Sequence, residues 1–574
     1  MVVGRLTFLL LLGAIAAVIA DAPHRAVAAE QAVPTPDSRI RLNTIGFLPG
    51  RLKRASIAAA CTRFSVRRAD SGKDVYAGTV SGPVHNADSN EDLYTADFSA
   101  LKATGTYYLE IPGVGRSADF RIAPDVYNDA FYLVTRGMYL WRCGVAVSAT
   151  YRGDTFAHAA CHTSDGYMDF VGGGHTKRDG TGGWHDAGDY NKYVVNAGIS
   201  VGSMLQAWEQ FPDRLKAFRL DLPESGNGIP DYLNEVKFEL DWLLKMQAPD
   251  GSVYHKLTTQ NFGGFVLPEE ETTDRFFTPW GSPATADFVA MLAMAARIYR
   301  PYDAPYADRC LQAAVKSYGF LQAHPENHAP DQAQFHTGGY GANDMDGRLW
   351  AAAELWQSTG ESAYLKDFET RARAWQVRPA RGAAAPPEAK IEPVWDWGDV
   401  ANQGMFTYLL SKRPGRDAAL VQQIHDSLLA AADAIVKTRD AHGYARPLGE
   451  TYYWGCNGAV ARQTALLQTA HQIAPNPAYI DTALDAIGHL FGRNYFGRSF
   501  VTGLGANPPL HPHDRRSGGD KVAAPWPGYL VGGGWPGAQD WKDSQDSYQT
   551  NEIAINWNTA LIYALAGFVE PKGR

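Results

Sequence analysis

From Tyr127 onward the chain is patterned for helices, and no strand-rich stretch interrupts them. In 229–247, Ile229, Leu233, Val236, Leu240, Leu243 and Leu244 fall on one face of a 3.6-residue turn. Pro230 stands where a first-turn proline costs nothing. Twelve such segments recur, near 127–143, 190–211, 229–247, 284–300, 304–323, 346–358, 361–375, 398–411, 417–438, 455–474, 478–492 and 551–568. Twelve helices in one domain predict six hairpins closed in a ring, an (α/α)6 barrel spanning 126–570. An open helical-repeat solenoid would need self-similarity at a fixed period, and the sequence shows none.

Residues 38–122 differ. The runs IRLNTIGFL, ASIAAACTRFSVRRA, DVYAGTVSG, YTADFS, GTYYLEI and SADFRIA are separated by Gly, Pro, Asn and Asp. That spacing predicts a small β-sandwich ahead of the helical domain, so the expected fold class is mainly α with an N-terminal sandwich. Residues 1–29 read as a cleaved secretory signal: Arg5, an apolar run from Leu6 to Ala20, then the small residues AVAA at 26–29. The run falls short of the about 20 residues that span a bilayer. The expected location is the periplasm or the medium, with no membrane association after cleavage. Five cysteines are too few for a disulfide scaffold in an exported chain of this size. A net charge of −8 without a long Lys/Arg run argues against a nucleic-acid partner. The 15 Trp, 28 Tyr and 24 Phe offer flat faces that suit sugars.

The long non-helical pieces, 144–189, 248–283, 325–345 and 493–550, hold most of the polar and aromatic clusters. Loops this long in a compact domain are usually functional. In Gly182–Tyr190 (GGWHDAGDY), Asp186 and Asp189 stand three apart in a glycine-rich turn. Either could take a proton from water while the other holds that water. The alternative is that Asp189 caps a helix beginning at Tyr190. Near the carboxyl end, Glu552 opens the last apolar helix beside Asn551. It serves as a helix-dipole partner or, in an aromatic pocket, as a general acid with a raised pKa. One carboxylic acid and one carboxylate are the pair glycoside hydrolysis needs. Cys143, Cys161, His162 and His185 form a tetrahedral zinc set by donor type, although their spacing fits no zinc finger. A Cys143–Cys161 disulfide is the alternative.

The stretch SFVTGLGAN (499–507) followed by PHDR (512–515) resembles the H-x-R signature of glycoside hydrolase family 9. Trp541 to Thr559 resembles the family's second signature. The DAGD turn and the run ESGNGIPDYLNEVKFELDWLLKMQ (224–247) also look like that family. Segment 38–122 is similar to the immunoglobulin-like domain of one of its subgroups. The resemblance implies inverting hydrolysis of β-1,4-glucans on an (α/α)6 barrel. A secreted, monomeric endoglucanase (cellulase) acting on a glucan polysaccharide or oligosaccharide is the expectation. An exo-acting enzyme on cello- or glucosamine oligosaccharides is the alternative.

Carried over by motif position, Asp189 is the general base, Asp186 helps hold the water and Glu552 is the general acid. His513 and Arg515 would bind sugar at the cleavage site, with a surface-loop role the alternative for His513. Tyr548 would touch the sugar near the acid, and Trp395 and Trp454 would be stacking platforms, with a buried-core role the alternative for each. Asp514 departs from many members at a position the signature leaves free. The subgroup with WHDAGD resembles this chain in its Cys…Cys-His pair, which implies structural zinc on Cys143, Cys161, His162 and His185, with His175 in reserve. The resemblance extends to a calcium loop at Asn343-Asp344-Met345-Asp346, but Gly341 and Asn343 replace oxygen-rich ligands there. Fewer charges weaken a hard-cation site. A helix cap from Asp346 is the alternative.

Overall fold

Strand Asp74–Asn86 is the hinge of the N-terminal part of the computed structural model, which describes residues 35–377 and 388–570. Its first half pairs antiparallel with Arg63–Arg68, and its second half with Glu91–Asp97. The register shifts between Ser81 and Val84, around Gly82-Pro83. The strand changes partners earlier, between Thr79 (opposite Arg63) and Val80 (opposite Ala96), and Gly82-Pro83 interrupts the second ladder, where proline cannot donate. Two layers result, and Phe47, Phe98 and Phe120 pack between them with centroids 5.2–5.4 Å apart. This is the expected sandwich-like domain. The proposed signal at 1–29 lies outside the described residues.

Twelve helices of ten residues or more follow among the described residues. They are α1 (Asn128–Leu140), α2 (Val194–Gln210), α3 (Asp231–Met246), α4 (Ser282–Ile298), α5 (Ala304–Ala323) and α6 (Met345–Thr359). Then come α7 (Ser362–Ala374), α8 (Ala401–Leu410), α9 (Ala418–Ala441), α10 (Cys456–Ile473), α11 (Pro477–Leu490) and α12 (Ile555–Ala566). Even-numbered helices neighbour one another in the sequence α10, α12, α2, α4, α6, α8. Odd-numbered helices back onto them, as α5 does on α4, α7 on α6 and α11 on α10. Burial follows the same division. Every residue of α12 is buried, whereas α9 buries one stripe: Leu420, Ile424, Leu428, Ala431, Ala432, Ile435 and Arg439. A helix buried all round belongs inside; an amphipathic one belongs outside.

The long connections are less irregular than the sequence predicts. Val147–Tyr151 and Asp154–His158 form a hairpin. Short strands at 167–168, 174–177, 192–193, 256–258 and 276–277 form a five-stranded sheet. These pairings shorten two expected helices. Lys192–Tyr193 are drawn into the ladder with Lys256–Leu257, so α2 starts at Val194 and Asp189 is not its cap. Val531 bridges Ile553, so α12 starts at Ile555 and Glu552 lies in extended backbone ahead of it.

The sandwich is welded to the helices. Ser56 Oγ donates to the Gly443 carbonyl (2.8 Å), the Gly443 N–H donates to Asn86 Oδ1 (2.9 Å), and Tyr452 OH donates to Asp88 Oδ2 (2.5 Å). No helix among the described residues is long and apolar enough to cross a membrane.

Candidate active site

Two buried glutamates on α3 fix the turn at 182–190. Glu239 Oε2 accepts from the Trp184 N–H (2.5 Å), and Glu235 Oε1 from Trp184 Nε1 (2.8 Å). Lys192 Nζ donates to the carbonyls of Gly180 and Gly182. Gly188 is required by contact: a Cβ there would sit 2.2 Å from the His513 carbonyl oxygen. Arg515 closes over the same point, its backbone N–H and Nη1 both donating to the Gly188 carbonyl (3.1 and 2.8 Å). His513 and Glu552 form a parallel bridge, and the Ile555 N–H donates to the Asp186 carbonyl (2.9 Å). Backbone bonds thus stitch together segments more than 300 residues apart.

The result is a cavity of about 350 Å³ lined by Asp186, Asp189 and Glu552, with Tyr193, Tyr340, Asp396, Trp397, Trp454, Asn556 and Phe262 around them. All three carboxylates sought in the sequence meet here. Asp186 accepts from Asn196 Nδ2 (2.7 Å) and Tyr340 OH (2.6 Å). Asp189 Oδ2 accepts from Asn191 Nδ2 (2.7 Å) and Tyr193 OH (3.0 Å). Burial, then the charge of Asp189, pushes Asp186 well above the usual aspartate range. Burial also raises Asp189, against which the Arg515 charge and the donors Asn191 and Tyr193 act. Burial first, then both aspartates, holds Glu552 well above the usual glutamate range. The site therefore holds three mutually repelling buried carboxyl groups, all raised, of which Asp189 has a nearby arginine and two hydrogen-bond donors acting to lower it.

The aromatic residues divide. Trp454 is 45% exposed, lines the cavity and meets the Tyr548 ring edge-on at 5.3 Å. Tyr548 is also 45% exposed, and 5.9 Å separate its ring from that of His513. Trp395 corrects the sequence reading: it is 4% exposed, lies under the Arg462 guanidinium and packs against Phe406. Two residues on, Trp397 takes the cavity position, its ring 5.0 Å from that of Tyr340. The stretch VWDWGD carried the signal, but which of its tryptophans faces inward depends on the turn before α8.

Sequence reasoning also passed over Tyr193, Tyr340, Asp396, Asn556 and Phe262. Tyr340 comes from the glycine-rich loop before α6 with a left-handed φ of 43°. A bulky residue held there marks a built site. Asp396 Oδ1 accepts from Asn556 Nδ2 (2.8 Å) and pairs with Arg462 (3.1 Å).

Next to the turn, Cys143, Cys161, His162 and His185 bring one donor atom each within 4.8 Å of all the others, a group able to hold a metal ion. Cys143 Sγ lies 3.6 Å from His162 Nδ1, and Cys161 Sγ 3.7 Å from His185 Nε2. These separations match the edge of about 3.6 Å that a tetrahedron has with metal–sulfur and metal–nitrogen bonds of about 2.3 and 2.05 Å. Glu271 Oε2 stands 3.3 Å from His162 Nε2, the usual support of a metal-bound imidazole. Burial drops His185 to about 3, so its ring is neutral. All five cysteines are free thiols, so Cys143 and Cys161 are not paired to each other. His175 is exposed, bonds Asp169 and stands outside the group. In the loop read for calcium, Asp344 holds Arg348 (2.7 Å) and Asp346 Oδ2 accepts from the Val400 N–H (2.7 Å). Asp346 therefore serves the start of α8 rather than capping its own helix.

Residues 127–565 match the family Glycosyl hydrolase family 9, and residues 35–116 match the Cellulase N-terminal ig-like domain. Endoglucanase D of Acetivibrio thermocellus is 60% identical over 536 residues, covering 93% of this chain and 84% of that one. A metagenome-derived glycoside hydrolase family 9 endoglucanase superposes with a TM-score of 0.85 at 36% identity, covering 92% of this chain and 98% of its own. A Zn-binding triple mutant of the family 9 endoglucanase J30 superposes with a TM-score of 0.84 at 32% identity, covering 92% and 100%. The chain belongs to glycosyl hydrolase family 9 and carries that family's cellulase-type ig-like domain at its N-terminal end.

Proposed function

We propose that the protein is an exported, inverting endo-β-1,4-glucanase, acting as a monomer on β-1,4-glucan chains. The carrying observation is that Glu552 and the Asp186–Asp189 pair line one cavity walled by tryptophan. Glu552 protonates the glycosidic oxygen. Asp189 takes a proton from the water that attacks the anomeric carbon from the other face, and Asp186 holds that water. Inversion follows because the water arrives opposite the departing sugar. His513 and Arg515 bind hydroxyls at the cleavage point; Trp454 and Tyr548 carry the chain beyond it. The even-numbered helices are read as the inner ring of an (α/α)6 barrel spanning 126–570, behind a sandwich spanning 38–122.

Zinc is proposed on Cys143, Cys161, His162 and His185. The tetrahedral edges and the S₂N₂ donor types support it. Four protein ligands leave no open position, so the ion would brace the turn that begins at His185 and takes no part in the chemistry.

The test is product analysis on carboxymethylcellulose and cellohexaose. A viscosity drop that outruns the release of reducing ends, with α-anomeric products, is expected. Slow viscosity loss with only glucose or cellobiose released would replace the endo reading by the exo one.

Tyr340 should position Asp186. In Tyr340→Phe, kcat is expected to fall about tenfold or more, since a hydrogen bond to a charged group is worth roughly 1.5–3 kcal/mol. The bond from Tyr340 holds Asp186 down, so its loss moves the acid limb of the pH profile to higher pH. A wild-type kcat with an unmoved acid limb would remove Tyr340 from this role.

A further inference from the structure

The aromatic rim runs on past the groups assigned above. Phe265 meets His513 edge-on at 5.2 Å and is 36% exposed. Phe262, on the same loop, is 50% exposed and lines the cavity. The Arg515 guanidinium lies 5.5 and 5.6 Å from the two ring centroids. Ring contacts therefore continue from Trp454 through Tyr548 and His513 to Phe265, and the shared Arg515 extends the line to Phe262.

The loop that carries Phe262 is held on both sides. The Thr259 N–H donates to Asn191 Oδ1 (3.0 Å), next to the proposed catalytic turn. Arg515 Nε donates to the Gly263 carbonyl (3.1 Å), and Tyr190 OH to the Val266 carbonyl (2.5 Å). Gly519 admits the loop: a Cβ there would lie 2.5 Å from the Val266 carbonyl carbon. With its loop anchored on both sides and Arg515 over it, Phe262 is held at the cavity with half its surface free for a ligand. At the mouth of a sugar-binding cavity, a rigid flat face offers apolar area for the C–H face of a pyranose at little entropic cost.

We infer that Phe262 is a stacking platform for a glucosyl unit of the β-1,4-glucan next to the cleavage point, on the Arg515 side. This rests on the glucanase reading and extends its binding surface to a loop that none of the family motifs contains.

The experiment compares wild type, Phe262→Ala and Phe262→Trp on cellohexaose. Phe262→Ala is expected to raise KM about tenfold with kcat within about twofold, the scale of losing one buried aromatic contact. Phe262→Trp should restore KM, and neither variant should lower Tm. An unchanged KM in Phe262→Ala would overturn the platform. So would an equal defect in both variants, or a loss confined to kcat with a lower Tm. A wild type that leaves cellohexaose intact would instead defeat the glucanase reading. Calorimetric binding of cellohexaose to wild type and Phe262→Ala would then still decide the platform, a tenfold weaker affinity upholding it and an equal one overturning it.

Discussion

Glu552→Gln is expected to lower kcat on cellohexaose by about 10³-fold, roughly 4 kcal/mol of barrier, within the range general acids supply. The fold should survive. Burial and the two aspartates raise the Glu552 carboxyl and favour its neutral form, which an amide of the same size mimics. The loss should depend on the leaving group. A cellobioside of 2,4-dinitrophenol departs without a proton, so on that substrate the variant should stay within about tenfold of wild type. Comparable losses on both substrates would point to a damaged cavity. A variant within tenfold of wild type on cellohexaose would end the acid assignment.

The same assignment fixes the signs of the pH profile. The acid must hold its proton, so activity is lost as pH rises through the raised Glu552 value. The base must be free, so activity is also lost as pH falls through the raised value of the aspartate pair. Both limbs should lie above those of exposed carboxylates. Glu552→Gln should abolish the alkaline limb and keep the acid one.

The helices were legible because the apolar stripe of α9 and the continuous burial of α12 are written directly in residue spacing. The points where α2 and α12 begin were not. Lys192 and Glu552 look helical locally, and partners more than 35 residues away, Leu257 and His513, draw them into bridges. The carboxylates could be found because Asp186 and Asp189 share a turn and Glu552 sits in a signature. Tyr340 could not: its hydroxyl reaches Asp186 across 154 residues from a loop read only for the acidic residues of a possible cation site. Trp395 failed for a smaller reason. A shift of two residues in a turn exchanges a core tryptophan for a cavity one, and no local pattern distinguishes them. The Cys/His group was recognisable by donor type alone, since neither the 18 residues from Cys143 to Cys161 nor the 24 from Cys161 to His185 is a motif.

Removing the metal should have the second-largest effect, and on stability before chemistry. The group ties the end of α1 (Cys143) to the loop at 161–162 and to His185, which directly precedes Asp186. Structural zinc contributes about 10–16 kcal/mol in small peptides, so even about 5 kcal/mol here, at about 1 °C per kcal/mol for a chain of this size, lowers Tm by about 5 °C. The purified protein should hold one zinc per chain by elemental analysis. Chelation should lower Tm by that amount, and zinc should restore it where calcium does not. Cys161→Ser should lose the zinc and reproduce the lower Tm. Assayed well below its Tm, it should keep measurable turnover, because the ion braces the Asp186–Asp189 turn without touching the substrate. A metal-free protein with an unchanged Tm would refute the zinc site. A Cys161→Ser enzyme that is folded yet dead to both cellohexaose and the dinitrophenyl cellobioside would mean that the group does more than hold the turn.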